Sequence, residues 1–103
     1  MNDTSSTMEL YRHQIDELDE QLMDCLRRRA HCVRLIAKLK RQSGFSVVQS
    51  HRAEAVARHF RELASAHQLR PEFAQRLFDL IHEESCREQT NWISTAADGA
   101  ADA

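Results

Sequence analysis

The sequence predicts an all-α fold of three helices per chain, one long and two shorter, associated as a helical homodimer in which the long helices and their partners pack across chains. Residues 1–43 contain neither Gly nor Pro, and the whole chain of 103 residues holds two glycines and one proline. The tight turns of a sheet therefore have little material. From Tyr11, apolar side chains recur alternately four and three apart, at Ile15, Leu18, Leu22, Cys25, Cys32 and Ile36, which makes a heptad-like helical seam. Such a helix is too long for its protein: from 7 to 42 it would run roughly 54 Å at 1.5 Å per residue. A compact monomer of this size has a radius of gyration of about 13 Å. The seam needs a second chain, most simply across a twofold axis.

The elements follow in order. Ser6 with Glu9 three residues on makes a capping box that can open the first helix near Thr7, and residues 1–7 are expected to be disordered. Gly44 after Ser43 closes it. Segment 44–49 carries Phe45, Val47 and Val48, too few for a paired strand, and is expected to form a loop clamped onto the core. A second helix starts near Gln49 or Ser50 with an apolar stripe at Ala53, Val56, Ala57, Phe60, Leu63 and Ala64, and ends near Gln68. Pro71 suits a first helical position, and Phe73, Leu77, Leu80 and Ile81 carry a third helix to about Trp92. The small, polar stretch 94–103 is expected to be a disordered tail, which leaves 8–93 as one helical domain.

Charge divides the first helix further. The seam position after Cys25 is Arg29, and one turn past Ile36 comes Lys40. At about 100° per residue, Arg27, Arg34, Lys38 and Arg41 fall within about 60° of one another. Arg29 and Lys40 fall within about 20° of each other on the opposite side, which they share with Cys25, Val33 and Ile36. The first set reads as a solvated face. The second is semi-buried and needs anions, supplied either by nearby Glu and Asp or by a ligand. On the third helix, the stripe that is apolar at Phe78 and Ile81 turns polar at Ser85 and Gln89, four apart and so stacked one above the other. These two are either a solvated helix end or part of a site.

Other classes are disfavoured. A net charge of −2 with interspersed signs argues against an unspecific nucleic-acid binder. The polar N-terminus and the lack of 18 consecutive apolar residues give no signal peptide and no membrane span, so a cytoplasmic protein is expected. Cys25, Cys32 and Cys86 are read as buried, reduced thiols. His51, His59 and His67 are spaced eight apart, and no Cys-x-x-Cys or His-x-x-x-His occurs, so no metal site is expected.

Taken together, Arg12-x-x-Ile15-x-x-Leu18-Asp19-x-x-Leu22-x-x-x-Leu26-x-x-Arg29, Lys40, Val47-x-x-x-x-Arg52 and Ser85-x-x-x-Gln89 resemble the all-helical type of chorismate mutase. The likeness covers about 8–92. It implies an intertwined three-helix dimer with two active sites, and the Claisen rearrangement of chorismate to prephenate, a single pericyclic step without cofactor. It implies a small dianionic substrate held by Arg29 and by Arg12 of the other chain, with Gln49, Arg52 and Ser85 as further binding residues. Lys40 and Gln89 match the pair that donates to the breaking ether oxygen. Arg12 lies 17 residues before Arg29, hence about 100° away around the helix, which is consistent with its serving the other chain's site.

The resemblance departs at the second helix. The family usually has Asp at the position of Gln49 and, where Ala53 stands, a Glu that holds the ring hydroxyl. Segment Val47-Val48-Gln49-x-x-Arg52 is similar to 4-amino-4-deoxychorismate mutases. Isochorismate-pyruvate lyases also lack that Glu but usually carry prolines in this loop, which the chain does not. Chorismate mutase therefore ranks first, the amino analogue second and the lyase third. An alternative of another class is a non-catalytic helical dimer that binds through the stripe Arg27, Arg34, Lys38 and Arg41.

Overall fold

The computed structural model describes the backbone of residues 3–44 and 50–102, and the side chains of 3–44 and 51–91. Three helices follow one another, α1 (Asp3–Ser43), α2 (Ser50–Ala66) and α3 (Pro71–Asp102), with no strand among the described residues. The all-α, three-helix expectation holds. The loop expected over 45–49, with Gln49, lies outside the described residues.

The ends show which local signals prevailed. Gly44 closes α1 with φ 74°, a left-handed conformation that glycine adopts without a Cβ penalty. Gln68 closes α2 with φ 56°. Its amide donates to the Ser65 carbonyl at 3.3 Å and that of Leu69 to the Ala64 carbonyl at 2.8 Å, which is a Schellman closure. Pro71 takes the first position of α3, where its missing N–H costs nothing. Two ends differ from the sequence expectation. α1 opens at Asp3, so Ser6 lies inside the helix and its box with Glu9 is not the start. An Asp in the first turn complements the helix dipole, and Thr7 Oγ1 donates back to the Asp3 carbonyl at 2.7 Å. α3 continues past Trp92 to Asp102, through an alanine-rich run without the proline that would break it.

The chain divides into two units, Met1–Cys32 and Val33–Ala103. In the first, the seam residues Tyr11, Ile15, Leu18 and Leu22 are between 52% and 59% exposed. Its surface is otherwise tied by local polar contacts: the ion pairs of Glu9 with Arg12 at 2.7 Å and of Asp24 with Arg27 at 2.6 Å, and the approach of His13 to Glu17 at 3.2 Å. The hydrogen bond from Arg27 is the main cause that holds the Asp24 carboxyl below its ordinary value. Cys25 and Cys32 are free thiols, as expected, but exposed rather than buried, and Cys86 is half-buried. A single helix face has no neighbour within this unit to bury a thiol.

In the second unit α2 and α3 pack directly. Ala57 and Ala64 of α2 and Ala74 and Phe78 of α3 are buried, and the small side chains let the two backbones approach. Phe60 meets Phe78 edge to face with centroids 5.5 Å apart, and His82, one turn further along α3, stacks on Phe78 with centroids 5.2 Å apart. Such an aromatic pair contributes about 0.5–1.5 kcal/mol beyond its area. The end of α1 adds Ala37, fully buried. Among the described residues no helix is long and apolar enough to cross a membrane.

Candidate active site

The site grows from one ridge of α1 and one face of α3. Arg34, Ala37 and Lys40 are three apart and so follow one ridge of the helix, with the buried Ala37 between two cations. Lys40 is half-buried, while Arg34, Lys38 and Arg41 are exposed. In the other unit Arg29 is half-buried and Arg27 exposed. The angular split of the basic residues is thus reproduced residue by residue.

Lys40 Nζ donates to Gln89 Oε1 at 2.9 Å, across 49 residues of sequence. Gln89 is only 8% exposed, so this end of the α3 stripe is not a solvated terminus. An ammonium only donates, so it dictates which way the amide lies. The Gln89 oxygen is engaged by Lys40, and what the amide offers a ligand is its Nε2 donors. Ser85 is half-buried one turn earlier on the same face of α3. A cation and an oriented amide donor, set in a partly desolvated place, are suited to negative charge developing on an oxygen. Neither is a nucleophile in this arrangement.

The α3 face is held in place by its own turns. Cys86 Sγ lies 3.7 Å from His82 Nε2, and His82 leans on Phe78. On the outer side Arg87 hydrogen-bonds Glu84, at 3.0 Å through Nε and through a second, shorter contact. That bond is the main cause that lowers the Glu84 carboxyl and raises the Arg87 guanidinium. Both groups are exposed, so the pair is screened by solvent.

Of the seven positions expected in a site, the structure brings Lys40 and Gln89 into contact and sets Ser85 beside Gln89. Arg12 is exposed and engaged by Glu9 of its own helix, Arg29 is half-buried in the same unit, and Arg52 is exposed in the first turn of α2. Gln49 lies outside the described residues. Ala53 is half-buried, and Glu54 beside it is exposed. Sequence reasoning missed Glu88, whose Oε1 accepts from Arg34 Nη2 at 3.4 Å. It placed Arg34 on a solvated face, where Arg34 is indeed exposed, and only the adjacency of Glu88 to Gln89 hinted that a carboxylate meets it there.

Residues 11–90 match the family described as chorismate mutase type II. The chain is also similar to a 4-amino-4-deoxychorismate mutase of Streptomyces pristinaespiralis, 30% identical over 88 residues, which is 85% of this chain and 68% of that protein. A second 4-amino-4-deoxychorismate mutase, from Streptomyces venezuelae, is 34% identical over 76 residues, 74% of each chain.

Proposed function

Because the chain belongs to the chorismate mutase type II family, we propose that it rearranges a chorismate-type dicarboxylate, with 4-amino-4-deoxychorismate as its natural substrate. The observation that carries the reaction is the Lys40–Gln89 contact. A pericyclic rearrangement needs no nucleophile. It needs the substrate folded into a chair-like shape and donors where charge grows on the breaking ether oxygen. In this reading Lys40 Nζ and Gln89 Nε2 are those donors, and Arg29 and the other chain's Arg12 hold the two carboxylates through their fixed fork of N–H groups. Arg52, Ser85 and Gln49 complete the binding set.

The substrate is argued from α2. Ala53 cannot accept a hydrogen bond from a ring hydroxyl, and both similar mutases carry the amino analogue in their names. Chorismate is the second reading, favoured by the family description that spans 11–90. A side-by-side turnover assay with chorismate, 4-amino-4-deoxychorismate and isochorismate tests the proposal. The expected result is a higher kcat/KM on the amino analogue. Preference for chorismate moves the second reading to first place, and release of salicylate from isochorismate identifies a lyase. No turnover of any of the three leaves a helical binding dimer.

Ala53→Glu sharpens the test. If chorismate is the natural substrate, the new carboxylate restores an acceptor for its hydroxyl and raises kcat/KM, with about 1.5–3 kcal/mol available from a charged hydrogen bond. If the amino analogue is natural, the unmodified chain already prefers it. Preference for chorismate without any gain from Ala53→Glu shows that another group holds the hydroxyl.

The dimer belongs to the same reading. Tyr11, Ile15, Leu18 and Leu22 present a continuous apolar row, and a second copy laid across a twofold axis covers both rows at once. The exposed Arg12–Glu9 pair costs little to give up, which leaves Arg12 available to a carboxylate of the neighbouring site. Mixing an Arg12→Ala chain with an Arg29→Ala chain should restore activity, since one site of each mixed dimer receives both arginines. If subunit exchange is verified and activity stays absent, Arg12 serves its own chain or no site.

A further inference from the structure

We propose that the Arg34–Glu88 ion pair is a positioning device for the Lys40–Gln89 donor pair, pinning the turn of α3 that carries Gln89 to the ridge of α1 that carries Lys40. The inference rests on the mutase reading above and adds two residues to it. Arg34 Nη2 lies 3.4 Å from Glu88 Oε1, with the two side chains 48% and 27% exposed.

Geometry gives the pair its leverage. α2 and α3 pack through buried alanines and Phe78, whereas α1 reaches this turn of α3 through the long side chains of Arg34 and Lys40. A single contact at Gln89 would let α3 roll about it. Glu88 leaves the helix about 100° around the axis from Gln89, and on α1 Arg34 and Lys40 stand on opposite sides of the buried Ala37. A roll that swings Gln89 away from Lys40 must therefore stretch Arg34 from Glu88.

Charge on α3 assigns the partner. Arg87 is engaged by Glu84 one turn back, so Glu88 is the carboxylate of this turn that reaches α1. Arg34, in turn, stands among the exposed cations Lys38 and Arg41, and a carboxylate facing that stripe relieves their mutual repulsion. Neither Arg34 nor Glu88 touches the reacting atoms in this scheme. Their effect passes through the direction of the Gln89 amide.

The test uses the full chain with Glu88→Gln, which keeps the shape and removes the charge, and with the exchanged pair Arg34→Glu, Glu88→Arg. On whichever substrate the unmodified chain turns over, Glu88→Gln should lower kcat about three- to tenfold, leave KM within about twofold, and hardly move Tm. The exchanged pair should recover most of the loss. In a Gln89→Ala background the same substitution should cost nothing further, because the residue it positions is gone. An unchanged kcat overturns the proposal, and so does an equal loss in both backgrounds, which marks a generally structural pair. If the unmodified chain turns over none of the substrates, the mutase reading fails and the pair is judged by NMR. Glu88→Gln should shift the Gln89 side-chain amide resonances, and unshifted resonances overturn it.

Discussion

Lys40→Ala is expected to lower kcat by about 10²–10³-fold, the scale of removing one preorganised donor from a developing oxyanion. KM should change far less, because the ether oxygen gains its charge only on the way to the transition state. Gln89→Ala should follow the same pattern. The two losses should not add, since Lys40 Nζ and Gln89 Oε1 are joined at 2.9 Å and each variant disturbs the other's placement. Lys40→Ala carries a second signature. It removes a donor from the amide oxygen of a residue only 8% exposed, and a buried acceptor left without its partner costs about 1–3 kcal/mol. Tm should therefore fall along with kcat, and a substrate analogue should restore part of it. Steady-state kinetics with a thermal melt checks both. Activity within a few fold of the unmodified chain would make Lys40 a structural partner of Gln89 and nothing more.

Arg29→Ala is expected to lose most of its turnover while the chain stays folded and, on the dimer proposed above, associated. Arg29 is half-buried on the helix side opposite the solvated stripe, where a guanidinium is costly to keep without an anion. Truncating one partner of a desolvated, hydrogen-bonded charge pair costs about 2–5 kcal/mol or more, which is roughly 30-fold to several thousand-fold in kcat/KM. Arg29→Lys should recover only part, because it keeps the charge and loses the planar fork. Size-exclusion chromatography and circular dichroism separate the two effects. Retained activity in Arg29→Ala, with elution and circular dichroism unchanged, would assign Arg29 to structure.

Much of the fold follows from local rules. Lack of Gly and Pro over 1–43 and the alternating apolar spacing specify α1 as a helix, because backbone freedom and period are properties of adjacent residues. Gly44, Gln68 and Pro71 mark helix ends for the same reason. The partition of six basic residues into exposed and half-buried sets came from helical angle alone and survives in the structure. Local rules also misled: the Ser6 box and the change in character after Trp92 suggested ends where the helices continue. A cap competes with neighbouring helical turns worth only tenths of a kcal/mol each, so such boundaries are weakly specified.

The burial of Gln89 was not legible in the same way. A Ser and a Gln at the foot of an apolar stripe look alike whether water or another helix covers them, and the residue that decides, Lys40, is 49 positions away. Arg34 keeps the exposure that helical angle gives it alongside Lys38 and Arg41, and that Glu88 meets it there from α3 is not stated by the order of residues. Cys25 and Cys32 were read as buried from residue type, and within the chain they are exposed, since burial depends on a neighbour that residue type does not supply. Helical period and termini are set by interactions within a turn or two, which the order of residues states directly. Which polar side chains leave water, and whom they meet there, is set by how α1, α2 and α3 pack, and that only the tertiary structure decides.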